Sequence, residues 1–405
     1  MIAVGEAIFF LPFVLPRIFR PTLLDVFGIT NFELGIVFAV YGIVAMPAYF
    51  IGGPLADRYR PRALITVALL ATATGGIVLM TIPGPTTLKI LYGYWGVTTI
   101  ALFWAALIRA TREWGSEHFQ GSAFGLLDGG RGLMAAGTGT MMVSVYAALL
   151  PEDVATASLE QRTAAFGRVI EFMMLLVFAA AVFLWVALPN DTRAANSERK
   201  RFGFRRALRV LRIPSVWFQA FIILCAYVGF KSADDFSLYA NEVLNFNEVD
   251  AARAGTVSLW VRPIAAIGAG FLADRFGTVR MTLLSFGLLL GGSVALASGA
   301  IDSQVAWLFF VSIVCSSLGI FALRGLYFAV MQEGKVPLAL TGSAVGFVSV
   351  VGFTPDVFMG PLMGYLLDQS PGAAGHQHVF WVVAGFALAG LAASLGFRSA
   401  RATPQ

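Results

Sequence analysis

LADRYRPR at residues 55–62 returns as LADRFGTVR at residues 272–280, an offset of 217 residues. A second pair, GSAFG at 121–125 and GSAVG at 342–346, follows in the same order at an offset of 221. Two matches in one order mark a chain built from two related halves. The charge in LADRYRPR stands out because the rest of the chain has so little. Of 405 residues 58% are hydrophobic and 13% charged, against about 25% charged in soluble domains. Apolar runs of the ~20 residues that a helix needs to cross ~30 Å of hydrocarbon recur to the end of the sequence.

These runs predict an all-α membrane protein of twelve transmembrane helices: 4–24, 32–53, 63–83, 88–110, 123–149, 166–189, 215–239, 252–272, 280–300, 305–330, 340–365 and 378–397. The first run, MIAVGEAIFFLPFVLP, lacks a basic leader and a small-residue cleavage site, so it is expected to span rather than be removed. The basic stretch NDTRAANSERKRFGFRRALRVLRIPS, 190–215, divides the spans six and six. The domains expected are a six-helix bundle over 1–189, a linker over 190–214 and a second bundle over 215–405. Arg58, Arg60, Arg62, Arg109, Arg112, the linker arginines, Arg275, Arg280, Lys335, Arg398 and Arg401 fall on one side of that topology. Lys89, Arg162, Arg168 and Arg253 fall on the other. Basic residues collect on the cytoplasmic side, so both termini are expected in the cytoplasm and the chain in the cytoplasmic (inner) membrane. The net charge of +5 is then a membrane-surface property, with RRALRVLR lying on anionic lipid, and no nucleic acid is expected as a partner. A repeat of this kind is characteristic of secondary transporters, whose solute site lies near the midplane between the halves.

Gly270 to Arg280 reads Gly-x-Leu-Ala-Asp-Arg-x-Gly-x-x-Arg, which resembles the signature of the major facilitator superfamily between the second and third spans of each half. The first copy varies it, with Arg60 at the usual glycine and Pro61 before Arg62, as in the organic-anion branch and its organophosphate exchangers. The resemblance implies a rocking transporter, likewise a monomer, in which this loop latches neighbouring helices. It makes Asp57 and Asp274 the anchoring carboxylates, Arg58 and Arg275 their neighbours, and Gly53 and Gly270 close helix contacts in the gating elements.

A charge at the centre of a span costs about 2.5–3.5 kcal/mol on insertion scales, so such residues are candidates for function. The cations are Arg17, Arg20, Arg131, Lys231, Arg262 and Arg324. The anions are Asp128, Glu171, Asp234, Asp235 and Asp356, with Glu6 set aside as too near the inner end. Asp128 with Arg131, and Lys231 with Asp235, stand three and four apart and can instead neutralise each other along one helix. Arginine offers a planar fork suited to carboxylate or phosphate. A converging set of Arg17, Arg20, Lys231, Arg262 and Arg324 therefore predicts a small anionic solute, with Arg262 pairing with Asp234 or Asp235 as the alternative. Tyr227, Trp260 and Tyr327, like Phe103 and Trp104, are candidates to line the cavity, although most aromatics here will pack or face lipid. Asp128, Asp234, Asp235 and Asp356 are the candidates for proton coupling, with Glu171 weaker; a counter-anion is the alternative partner.

Trp-Val-Arg-Pro-Ile at 260–264 resembles the arginine-proline of monocarboxylate carriers, without that family's first-span motif. The glycine-rich fifth and eleventh spans resemble those of nitrate porters, but the second span has no arginine. Drug efflux is the competing transport function, and the fifth span lacks the glycine-proline motif of such exporters. From another class, a membrane anion sensor would share every feature above. Nothing suggests catalysis, a cofactor or a metal: Cys225 and Cys315 fall inside apolar segments, and His376-Gln377-His378 reads as solvated outside loop.

Overall fold

The computed structural model describes residues 1–114, 120–188, 213–327 and 341–402. Among these residues the regular structure is helical throughout, and eleven helices are long and apolar enough to cross a membrane. Many apolar side chains on them face outward, including Ile77, Phe183, Val186, Phe271 and Trp307. On long helices such exposure is what hydrocarbon surroundings require. The linker expected over 190–214 lies outside the described residues up to 212.

The expected first span is helical but broken, which is why it is not among the eleven. It comprises α1 (Ile2–Ala7), a π-helical turn over Phe10–Val14, α2 (Leu15–Ile18) and α3 (Arg20–Phe27). Pro12, Pro16 and Pro21 remove N–H donors, so the 3.6-residue ladder cannot run through. Phe19, at φ −105° and ψ 34°, joins α2 to α3. Gly28 then ends α3 in the left-handed region at φ 59°.

α4 (Asn31–Arg58) starts at a capping box in which Thr30 and Glu33 exchange bonds. α5 (Pro61–Met80) begins with proline at its first position. α6 (Pro85–Gly96), a wide π-helical stretch Val97–Trp104 and α7 (Ala105–Trp114) form the fourth apolar segment. α8 (Gln120–Leu149) and α9 (Leu159–Ala187) complete the first half, α9 from a Ser158–Gln161 capping box. The second half runs α10 (Pro214–Ser232), α11 (Phe236–Glu242), α12 (Glu248–Phe276), α13 (Thr278–Ala297), α14 (Ala306–Leu326), α15 (Thr341–Gly352), α16 (Pro355–Gln369) and α17 (Ala373–Ala402).

By packing, the described chain falls into two units. Unit one is Met1–Asn196 with Asp234–Trp260 and Asp356–Gly375; unit two is Ser197–Ala233, Val261–Pro355 and His376–Gln405. Three of the boundaries fall where helices are weak: the 3-10 turn Ala233–Asp235, the stretch just before Pro263 inside α12, and the turn ahead of Pro355.

Unit one is held by a continuous apolar core from Val4 to Leu184 that also takes in Val249, Ala252 and Leu259. Within it α4 and α16 approach closely. A Cβ at Gly35 would strike the backbone of Gly360, one at Gly42 that of Asp356, and one at Gly364 that of Asn31 and Phe32. Small residues let membrane helices approach this far. In unit two, α13 and α14 interlock in the same way, with Gly292 against Ser316 and Gly319 against Ser285.

Candidate functional site

Four polar clusters are buried in these units, and the helix breaks account for the first. Arg17 stands in the last turn of α2 and Arg20 at the start of α3, on either side of Phe19. They are 5% and 2% exposed. Arg17 Nε donates to Asp234 Oδ1 at 2.6 Å. Arg20 donates from Nε and Nη2 to Asn31 Oδ1 at 3.1 and 2.9 Å, and from Nη1 to the Asp234 carbonyl at 3.4 Å. Ser237 Oγ donates to the carbonyl of Arg17 at 3.0 Å. The interrupted first and seventh segments thus exchange side-chain and backbone bonds where their own ladders are open. Arg17 and Asp234, expected as solute ligand and proton carrier, form an ion pair here, whereas Arg20 is held by neutral acceptors.

The second cluster lies in unit two. Arg262, on α12, is 3% exposed, with its guanidinium carbon 5.9 Å from the Phe321 ring centre. Arg324, in the last turn of α14, stacks on Phe230 at 3.9 Å. The two rings meet edge to face at 6.3 Å, so two cations share one aromatic pair. Arg324 Nη1 is buried and makes no hydrogen bond among the described residues. Tyr227 packs on Phe230 at 5.4 Å and on Phe353 at 5.0 Å. Lys231, 2% exposed, follows Phe230 directly, and Gln219 donates to the Tyr327 carbonyl at 3.1 Å.

Two further clusters involve carboxylates that the sequence did not single out. Glu6, set aside above for its place near the helix end, is 4% exposed and accepts from Arg131 Nε at 2.9 Å. Asp128 is 3.8 Å from the same guanidinium, which also faces Phe9 and Trp104. The i, i+3 pairing expected for Asp128 and Arg131 therefore exists, but the shorter bond crosses to the first segment. Glu248, the first residue of α12, is bonded by Arg162, Tyr146 and Thr22. It lies in NFNE, which reads as loop.

Among the described residues no group of three or more potential metal ligands is found. The family model described as Major Facilitator Superfamily matches residues 2–355. The chain belongs to this superfamily. It is a membrane transporter, and the superfamily carries solutes rather than catalysing reactions. Two Escherichia coli (strain K12) proteins are relatives. Inner membrane protein YqcE is 26% identical over 363 residues, covering 87% of this chain and 83% of its own. Inner membrane protein YihN is 24% identical over 398 residues, covering 96% and 92%. The fold is shared with a mutant of the nucleoside transporter NupG (TM-score 0.70, 15% identity, 97% and 98% covered). It is also shared with the E. coli fucose:proton symporter FucP (0.62, 19%, 100% and 98%) and a bacterial homolog of the human lysosomal transporter Spinster (0.67, 14%, 99% and 98%).

The superfamily's loop motif looks different in three dimensions from the expectation. Among the described residues a Cβ at Gly53 or Gly270 would meet nothing within 4 Å, whereas Gly35, Gly42 and Gly364 are close helix contacts. Arg58 and Arg275 each lie by the ring next in sequence, at 5.6 and 5.5 Å. With Asp274, they form no ion pair among the described residues; the side chain of Asp57 lies outside that set. Asp235 is fully buried after the α10 break, and Asp356 lies in the first turn of α16 facing Gly42. Trp260 is 47% exposed and donates to Thr140 Oγ1 at 3.0 Å. Glu171 bonds Arg168 on the surface of α9. His376 is not in a solvated loop: it is buried in α17.

At the other end of α4, Asp368 of α16 accepts from the backbone N–H groups of Asn31 at 3.2 Å and Phe32 at 2.8 Å. A carboxylate on a helix N-terminus satisfies open donors and the dipole together. Neither partner is near the other in sequence, and no spacing rule could have found the pair.

Proposed function

We propose that this superfamily member is a secondary active transporter of a small organic anion, working by alternating access in the inner membrane. The solute class is a carboxylate, a sugar acid, or a phosphorylated or sulfonated sugar, and transport is coupled to protons or to a counter-anion. Twelve spans with both termini in the cytoplasm, six on each side of the 190–214 linker, complete the reading.

One observation carries the sign of the solute: among the described residues Arg324 Nη1 is buried without an acceptor while its planar face rests on Phe230. An unmet cationic donor costs free energy until an acceptor arrives, and a carboxylate or phosphoryl oxygen is the acceptor it fits best. Arg262 and Lys231, buried nearby in the chain's fold, add positive charge to the same unit. The fold shared with a fucose:proton symporter supports coupling to protons as a working scheme.

The test is a thermal-shift screen of purified protein against carboxylates, sugar phosphates, sulfonates, amines and lipophilic cations. Stabilisation by one anionic class supports the reading, and stabilisation by cations alone overturns it. Uptake of the hit into proteoliposomes, with and without a pH gradient, then separates a transporter from a sensor, which would bind and accumulate none.

A further inference from the structure

Glu248 is met by three other elements of unit one. Arg162 Nη1, on α9, is 2.9 Å from Glu248 Oε1. Tyr146, on α8, donates its hydroxyl to Oε2 at 2.7 Å, and Thr22, on α3, donates to the same oxygen at 3.1 Å. The same Arg162 nitrogen reaches Asp25 Oδ2, also on α3, at 3.1 Å. On α12 itself, Asp250 is already matched by Arg253 at 2.8 Å, out on the surface.

Two carboxylates therefore share one guanidinium. Among the described residues no other cation lies within ion-pair distance of either, so Asp25, Glu248 and Arg162 together carry one uncompensated negative charge. The Glu248 side chain is only 10% exposed, whereas Arg162 is 25% and Asp25 48% exposed. Asp25 opens the cluster to water, and Glu248 closes it to the inside.

We propose that Asp25, Arg162 and Glu248 form a proton-binding site, and that its occupancy decides whether α3, α8, α9 and α12 stay joined at this point. This deepens the proton-coupled reading above and rests on it. One proton cancels the excess charge. Placed on Glu248, it ends the attraction to Arg162, which keeps Asp25, and turns an oxygen that accepts from Tyr146 or Thr22 into an O–H that must donate. The bonds that fasten α12 to three neighbours then fall to weak neutral contacts. With the proton gone, the charged Glu248 draws the elements together again.

The experiment needs no solute. In a Cys225→Ser, Cys315→Ser background, Ala155→Cys and Glu242→Cys carry nitroxide labels, and pulsed electron resonance gives their distance distribution in nanodiscs across pH. The expected result is a shift to longer distances as pH falls, lost in Glu248→Gln, which stays in the low-pH distribution at every pH. A wild-type distribution that ignores pH, or a Glu248→Gln protein that titrates like the wild type, overturns the proposal. Because no anion is present, either failure leaves the solute screen standing, and a failed solute screen leaves this result standing.

Discussion

Arg17 and Asp234 are joined at 2.6 Å and lie 217 residues apart, the offset that separates the two LADR copies. The first and seventh segments are thus tied together where both are broken, Arg17 just ahead of Phe19 and Asp234 within the 3-10 turn Ala233–Asp235.

Removing one partner of that pair leaves the other charge buried. Arg17→Ala is expected to cost about 3–5 kcal/mol, and Arg17→Ala with Asp234→Ala less than the sum of the singles. A double-mutant cycle on thermal unfolding in detergent checks this; additive losses would mean that the pair does not couple.

Arg324→Lys keeps the charge and gives up the flat face that rests on Phe230. Affinity for the anion found by the screen should fall roughly tenfold, the worth of one charge-assisted hydrogen bond, with unfolding temperature little changed. Titration calorimetry against wild type and Arg60→Lys, an exposed control, reads the difference.

Glu6 and Asp128 compete for Arg131 at 2.9 and 3.8 Å. Glu6→Gln should therefore destabilise more than Asp128→Asn, although the latter is the neighbour on the same helix. Equal unfolding midpoints for the two variants would contradict the geometry.

Gly364 lies against the backbone of Asn31 and Phe32, whereas a Cβ at Gly53 would meet no described residue within 4 Å. Gly364→Ala is expected to cost about 1–3 kcal/mol by overpacking, and Gly53→Ala to be neutral or slightly stabilising through helix propensity. Asp368→Ala should speed amide exchange at Asn31 and Phe32 while leaving α5 protected, which hydrogen-exchange mass spectrometry resolves.

Burial of the charges was legible in the sequence, because a charge inside a long apolar run has few places to go. Arg17, Arg20, Lys231 and Arg262 are all 5% exposed or less. Direction around the helix axis was not, since it depends on which neighbour packs where. That is why Arg131 turns to Glu6 as well as Asp128, and why Arg17 is committed to Asp234. The seven-to-eight turn misled for another reason: Glu248 sits among asparagines that signal a loop, yet it is the N-terminal residue of a 29-residue helix. The break at Phe19 was foreshadowed by Pro16 and Pro21, whose effect on a single span of the expected length is to divide it.

Unit one draws on Asp234–Trp260 and Asp356–Gly375 as well as the first 196 residues. Synthesis runs from the N-terminus, so the early helices leave the ribosome long before α16 exists to cover Gly35 and Gly42. Until then the α4 face opened by Gly35 and Gly42 stays uncovered, so unit one closes only when the last helices arrive.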